Sequence, residues 1–434
     1  MMAALYGFFL FCAVAGLACC TAFLALIVVA AIRFRRPRHN SQEMADPPPV
    51  SLLKPLCGLE PRLEANLESF FAQDYPRFEI VFGTHNAQDP AIAVARALQA
   101  RYPQVPVKFV FAGEPDRPNA KVCSLEKMVS VASYDYLVIS DSDVCVRANY
   151  ITEVVRPLAD EQVGLVTCLY RGVPASGIWS RLEAIGMSVE MTSGVIVANL
   201  LEGMRFALGP TMALRRQVLE AVGGIGALAN YHADDYVLGE RVFESGRRVV
   251  LSSHVIDHFA LSRRFRDSVA HQVRWMKSTR FSRPKGHLGT ALTFAVPFGL
   301  LGLFAGLASG HEILGLCLFG GAVLNRLVMS ITAGWGVVRD RLSLRDCWLY
   351  PVRDLMGFCF WIASYVGSTV VWRQRCYRLL PGGGMVFVPQ PSAAVPAELS
   401  QPQTVTGEDA QATVNPAKTK AACAGDSTRN QSPR

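Results

Sequence analysis

Apolar positions run almost without interruption from residue 3 to residue 32. A membrane-spanning helix needs about 20 such residues, so this stretch predicts a span. Arg33, Arg35, Arg36 and Arg38 follow it at once. A cleavable signal peptide carries its charges first and has a shorter apolar stretch, so residues 1–32 read as an uncleaved anchor. Arginine after the span predicts an N-terminus outside and a cytosolic chain from Arg33 onward. Residues 33–49 form a basic linker ending in Pro47, Pro48 and Pro49. The pattern then changes. Short apolar runs at 50–55, 79–83, 107–111, 136–140, 164–168 and 248–252 predict strands, and helical spacing lies between them, as at 63–73 and 91–102. Strand–helix alternation predicts an α/β domain with a parallel sheet over 50–262. No internal repeat is visible.

Residues 263–285 are basic, with eight Lys or Arg and only one acid, Asp267. Together with Trp275, Met276 and Phe281 they resemble an interfacial amphipathic helix. Two further apolar runs, 288–309 and 313–337, are separated by Gly310, His311 and Glu312. A last one at 355–372 has arginine on both sides, Arg353 before and Arg373, Arg375 and Arg378 after. Its orientation stays open between spanning, re-entrant and interfacial. Residues 287–380 therefore predict a membrane region of two to three helices. From 390 to 434 the chain is rich in Pro, Ala, Thr, Gln and Ser, a composition expected to be disordered.

Composition supports this division. Apolar residues make up 51% and charged residues 18% of 434 positions, against about 25% charge in a soluble protein. The net charge of +8 sits mostly beside apolar segments, where it reads as positive-inside loops. A nucleic-acid partner would need a basic, aromatic-interleaved face on a soluble domain, and none is expected. The twelve cysteines include no C-x-x-C pair and no zinc spacing, so no disulfide framework is expected.

The chemistry concentrates in four places. Val138-Ile139-Ser140-Asp141-Ser142-Asp143 is an apolar strand running into two aspartates. Strand ends are where open α/β sheets place ligands, and carboxylates at i and i+2 can share a hard divalent cation with substrate phosphates. Asp-Ser-Asp is also good turn chemistry. Asp89, before Pro90, follows a strand end and fits either a nucleotide contact or a helix N-cap. Asp234 and Asp235 precede a helical run, where one of them can act as a general base or complement the helix dipole. His271-Gln272-Val273-Arg274-Trp275 can close over a diphosphate and an acceptor, or lie in the interface. Lys54 and Lys121 are further candidates for phosphate, beside the commoner surface role.

These motifs, in this order, resemble the ceramide glucosyltransferase family and its bacterial relatives. Those include the hopanoid-biosynthesis glycosyltransferases, and all are related to inverting family-2 enzymes with a GT-A fold. The resemblance covers roughly residues 10–380. It rests on Val50-Ser51-Leu52-Leu53-Lys54-Pro55-Leu56, Gln73-Asp74-Tyr75-Pro76, Asp89-Pro90-Ala91-Ile92 and Asn119-Ala120-Lys121. It continues through Asp141-Ser142-Asp143, Gly209-Pro210-Thr211-Met212, Asp234-Asp235-Tyr236 and Arg274-Trp275. It implies Asp89 at the nucleotide, Asp141 and Asp143 at a Mg²⁺ or Mn²⁺ ion, and Asp235 as catalytic base. Arg274 and Trp275 close the signature. His271 departs from it, since the family has Gln or Arg there.

The resemblance implies transfer of glucose or N-acetylglucosamine from a UDP-sugar to a lipid hydroxyl, with inversion. The acceptor would be ceramide or a hopanoid polyol entering from the bilayer, in a bacterial inner membrane or alternatively a Golgi membrane. A polysaccharide synthase would have more spans and a full Q-x-x-R-W. A nucleotide-binding transporter subunit would carry a G-x-x-x-x-G-K-[ST] loop, which is absent.

Overall fold

A computed structural model describes residues 2–36, 46–261, 264–373 and 375–389. Arg38, Arg263 and the tail from 390 lie outside the described residues. The main sheet contains β1 (Val50–Pro55), β2 (Phe78–Thr84), β3 (Val107–Phe111), β4 (Tyr136–Ile139), β5 (Val144–Cys145), β6 (Val163–Pro174), β7 (Met212–Arg215) and β8 (Arg248–Ala260). Their order is β3-β2-β1-β4-β7-β6-β8-β5. The α/β class is the one expected. The expected all-parallel sheet is not. β7 runs antiparallel to both β4 and β6, and β5 runs antiparallel to β8. Both strands are short, with four and two residues. Neither leaves an alternation long enough to read.

The central strands are buried on both faces. In β1, Val50, Leu52 and Leu53 are fully buried, as are Ser51 and Lys54. Continuous burial is what helices on both sides of a sheet produce. The buried polar side chains of β1 are satisfied locally. Ser51 Oγ donates to Glu79 at 2.7 Å, and Glu79 also accepts from Ser133 N at 2.6 Å. Two helices start where the sequence supplies caps. Asp89 caps the helix Pro90–Arg101, with proline in its first turn, and Asn119 caps Ala120–Val131 by accepting from Val122 N at 3.2 Å.

Helices long and apolar enough to cross a membrane lie on either side of this domain. The first, Met2–Arg35, has 34 residues and so extends about 50 Å. It packs on the helix Ala295–Ala308, which in turn packs on Glu312–Met329. Small residues allow the close approach. A Cβ at Gly306 would lie 2.8 Å from the Cα of Gly315.

A third apolar candidate lies inside the region read from sequence as soluble, namely Gly177–Glu202. A π-turn at Met187–Met191 interrupts it, and Ser188, Glu190, Thr192 and Ser193 break its apolar run. Its two halves contact β6 and the N-terminal helix. The run at 355–372 divides. It supplies the end of the 14-residue helix Tyr350–Ala363 and then β9 (Thr369–Trp372). At 1.5 Å per residue that helix extends about 21 Å, short of the hydrocarbon thickness of about 30 Å. β9 pairs with β10 (Arg375–Leu379), which pairs with β11 (Met385–Phe387). Ten of the described cysteines are free thiols.

Candidate active site

β4 ends at Ile139 and delivers Asp141 to the C-terminal edge of the sheet. β5 begins at Val144 and pairs with His258 and Asp257 near the end of β8. The Asp-Ser-Asp segment is therefore pinned at both ends by strands. Lys121 Nζ lies 2.6 Å from Asp141 Oδ1 and 3.8 Å from Asp234 Oδ2. Burial alone would lower the pKa of Lys121, but Asp141 and Asp234 outweigh it and raise it. Asn119 Nδ2 donates to Asp234 Oδ1 at 3.3 Å. The cap of one helix thus reaches the first acid of another.

Asp235 faces the same space. Its Oδ2 accepts from Gly209 N at 2.7 Å and its Oδ1 from Tyr236 N at 2.8 Å. The Cβ position that Gly209 lacks lies 3.1 Å from Asp235 Oδ2 and 3.6 Å from Asp141 Oδ2. Gly209 thus keeps open the gap between two carboxylates. Burial, and next the charge of Asp234, push the pKa of Asp235 up to about 6 against the opposing effect of Lys121. Such a carboxylate is suited to taking a proton near neutral pH.

Asp143 Oδ2 lies 3.6 Å from His258 Nε2, while its buried Oδ1 has no hydrogen-bond partner. Glu60 accepts from Ser142 Oγ at 2.8 Å, and burial followed by Asp143 pushes its pKa up. The oxygens of Asp141 and Asp143, one of them without a partner, fit a hard divalent cation. Among the described residues no three His, Cys, Asp or Glu side chains converge to hold a metal ion. The donor set therefore fits a cation that takes the rest of its shell from substrate oxygens, as Mg²⁺ commonly does.

The other sequence candidates divide. Both oxygens of Asp89 accept from Gly58 N at 3.0 Å, and Oδ1 accepts from Ala91 N at 2.9 Å. Asp89 is a cap and also ties the loop after β1 to the next helix. Lys54 is wholly buried over the Phe70 ring, 3.5 Å from its centroid. It donates to the Asp141 carbonyl, and to Ser140 Oγ at 3.3 Å. It braces the aspartate loop from behind, and burial lowers its pKa to about 7 against the pull of Asp141.

Arg274 and Trp275 lie on the helix Phe265–Ser282, and Trp275 packs against the core. Burial, then Arg373, lower the pKa of Arg274 to about 10. His271, the departure from the signature, has a specific partner. Its Nδ1 lies 2.6 Å from Oε1 of buried Glu183, whose Oε2 accepts from Ser268 Oγ at 3.1 Å. The His271 ring also packs 4.4 Å from that of Trp275.

The sequence analysis missed Glu60, His258 and Glu183. Glu60 lies in an irregular loop, and a lone acid there gives no signal. His258 reaches Asp143 only through the β5–β8 pairing, and Glu183 lies on an apolar helix 88 positions from His271.

Residues 10–385 match Glycosyl transferase family 21. The chain is similar to ceramide glucosyltransferase 1 of Caenorhabditis elegans, with 26% identity over 383 residues, 87% of this chain and 81% of the relative. It is also similar to a ceramide glucosyltransferase of Komagataella phaffii, with 39% identity over 113 residues, 25% of this chain and 22% of the relative. Among solved structures, a mannosyltransferase from Pyrobaculum calidifontis in complex with GDP-Man and Mn²⁺ aligns with 83% of this chain and 99% of its own, at 17% identity and a TM-score of 0.47. Glucosyl-3-phosphoglycerate synthase from Mycobacterium tuberculosis, with Mn²⁺, UDP and phosphoglyceric acid, aligns with 54% of this chain and 78% of its own, at 19% identity and a TM-score of 0.36. The family match runs from the N-terminal helix to the last strand and takes in every aspartate described above, so the protein belongs to glycosyl transferase family 21 and is a glycosyltransferase.

Proposed function

We propose that the protein transfers a hexose, glucose or N-acetylglucosamine, from a UDP-sugar to the hydroxyl of a membrane lipid, with inversion at the anomeric carbon. The observation that carries this reading is Asp235, a carboxylate of raised pKa across the Gly209 gap from Asp141. A base so placed can take the acceptor proton as the acceptor oxygen attacks the anomeric carbon and the sugar–phosphate bond breaks. One displacement of this kind inverts the configuration. The proton ends on Asp235 and the bonding electrons leave with UDP.

Asp141 and Asp143 would hold a Mg²⁺ or Mn²⁺ ion, which supplies charge stabilisation to the diphosphate leaving group. Lys121 holds Asp141 in place and keeps a positive charge beside it. Lys54 fixes the backbone of that loop. Asp89 sets the loop at Gly58, on the side where a nucleotide would enter. Trp275, packed against His271 and the core, would flank the acceptor.

Ceramide is the acceptor that the named relatives support. A hopanoid polyol is the second candidate, because the site constrains the donor far more than the lipid. The apolar helices bring the domain to a bilayer surface, and Arg33, Arg35 and Arg36 argue for a cytosolic active site. A bacterial inner membrane is the proposed location and a Golgi membrane the alternative. The test is purified protein in lipid nanodiscs with UDP-glucose or UDP-N-acetylglucosamine, Mn²⁺ and either ceramide or bacteriohopanetetrol. One pairing should release UDP and give a β-linked glycolipid, seen by mass spectrometry and NMR. An α-linked product overturns the inverting mechanism, and the absence of product from every pairing overturns the acceptor class.

A further inference from the structure

The small sheet β9–β11 is tied to both halves of the candidate site. On one side it meets the loop that leads into Asp234 and Asp235. His232 N donates to Gly383 O at 3.0 Å, Met385 N donates to Asn230 O at 2.8 Å, and Tyr231 forms a bridge with Gly384. On the other side it meets the helix of Arg274. Lys277 Nζ donates to Thr369 O at 3.0 Å. His232 joins the two, with Nδ1 2.9 Å from Ser278 Oγ and its ring 5.4 Å from that of Trp372. The turn after Trp372 is thus fixed between the base-bearing loop and the arginine-bearing helix.

Arg373 stands in that turn. Its φ is 48°, a left-handed conformation uncommon for a residue with a side chain. Its guanidinium lies 5.9 Å from the Trp372 ring centroid. Neither Arg373 nor Arg274 makes a hydrogen bond or a salt bridge with another described residue. Several other arginines of this chain find carboxylates. Arg171 pairs with Asp257, Arg181 with Asp346 and Arg326 with Asp354. The positive charge of Arg373 is felt both by Arg274 and by Glu60, beside the paired aspartates. Two like charges brought together, neither of them hydrogen-bonded or in a salt bridge with a carboxylate among the described residues, one of them on a left-handed turn, leave room for an anion.

We propose that Arg373, together with Arg274, seats the diphosphate of the nucleotide donor, so that β9–β11 supplies part of the donor site. A guanidinium fork suits phosphate oxygens, and two forks can hold both phosphates. The proposal deepens the UDP-sugar reading and rests on it. The shared chemistry is a phosphoryl anion, and an anionic lipid headgroup is the other source of it.

The test uses the full chain in nanodiscs and two variants. Arg373→Gly keeps the left-handed turn and removes the fork, and Arg373→Lys keeps the charge without it. UDP binding with Mn²⁺ is measured by calorimetry, donor and acceptor KM by UDP release, and attachment to vesicles with and without phosphatidylglycerol by flotation. Arg373→Gly is expected to weaken UDP binding and raise the donor KM about tenfold or more. Acceptor KM, vesicle attachment and Tm should stay at parental values, and Arg373→Lys should fall between. Parental UDP affinity and donor KM in Arg373→Gly overturn the proposal. So does a loss confined to phosphatidylglycerol vesicles, which assigns the turn to lipid. A parent that binds no UDP overturns the underlying donor reading instead, and is distinguished by failing before any variant is made.

Discussion

Asp235 accepts hydrogen bonds from two backbone N–H groups, yet burial and Asp234 still raise its pKa to about 6. The proposed base must be ionised to work. Activity should therefore fall as the pH drops through about 6 and stay level above it, which a kcat/KM profile from pH 5 to 8 would show. Asp234→Asn removes the neighbouring charge and should move the acidic limb to lower pH. Asp143→Asn should act differently, because Asp143 offers oxygens and not a base. It is expected to weaken Mn²⁺-dependent UDP binding by about tenfold or more, with metal-free UDP binding unchanged in calorimetry. Asp141 and Asp143 were legible in the sequence because an apolar run ends on them. Asp89 was legible as a cap, and it caps. Glu60 and His258 were not legible, since only the folded strand pairing brings them to Asp143.

At the scale of elements, strands with long apolar runs were readable, and short or irregular elements were not. β7 has four residues and only its neighbours β4 and β6 give it a direction. The run at 355–372 looks continuous, but Gly367 adopts φ 68° just before β9 and separates strand from helix. The helix Phe265–Ser282 was read as basic and interfacial. Its position is set less by charge than by His271 on Glu183 and Gln272 on Arg353, at 2.6 and 2.9 Å. His271→Ala leaves the Glu183 carboxylate buried with one partner fewer. It should cost about 1–3 kcal/mol, read as a lower Tm. His271→Gln keeps a donor and should recover most of it.

The whole molecule is a sheet domain seated on apolar helices, and one buried ion pair stands at the centre of that seat. Arg326 and Asp354 are both nearly inaccessible and lie 2.9 Å apart, with Arg326 also donating to Thr293 O at 2.7 Å. Asp354 accepts from Val296 N at 2.8 Å, which holds the start of the helix Ala295–Ala308. Removing one partner strands a buried charge, at about 3–5 kcal/mol. Asp354→Ala should therefore lower the Tm in micelles sharply, while a double Arg326→Met, Asp354→Leu variant should recover part of the loss. The N-terminal helix and the helix Glu312–Trp335 are long and apolar enough to cross a membrane and could be read by length, whereas the run at 288–309 is broken by a 48° bend before Ala295. The span-like helix Gly177–Glu202 could not, because polar residues for its buried contacts break the apolar pattern.

The central claim is that Asp235 is the base for sugar transfer from a UDP-sugar to a lipid. The most direct measurement is single-turnover transfer in nanodiscs by the parent and by Asp235→Asn, alongside UDP binding by each. The account predicts transfer about 10² to 10⁴ times slower in the variant, with UDP affinity within about twofold of the parent. Equal rates in the two proteins, at equal UDP affinity, would contradict it.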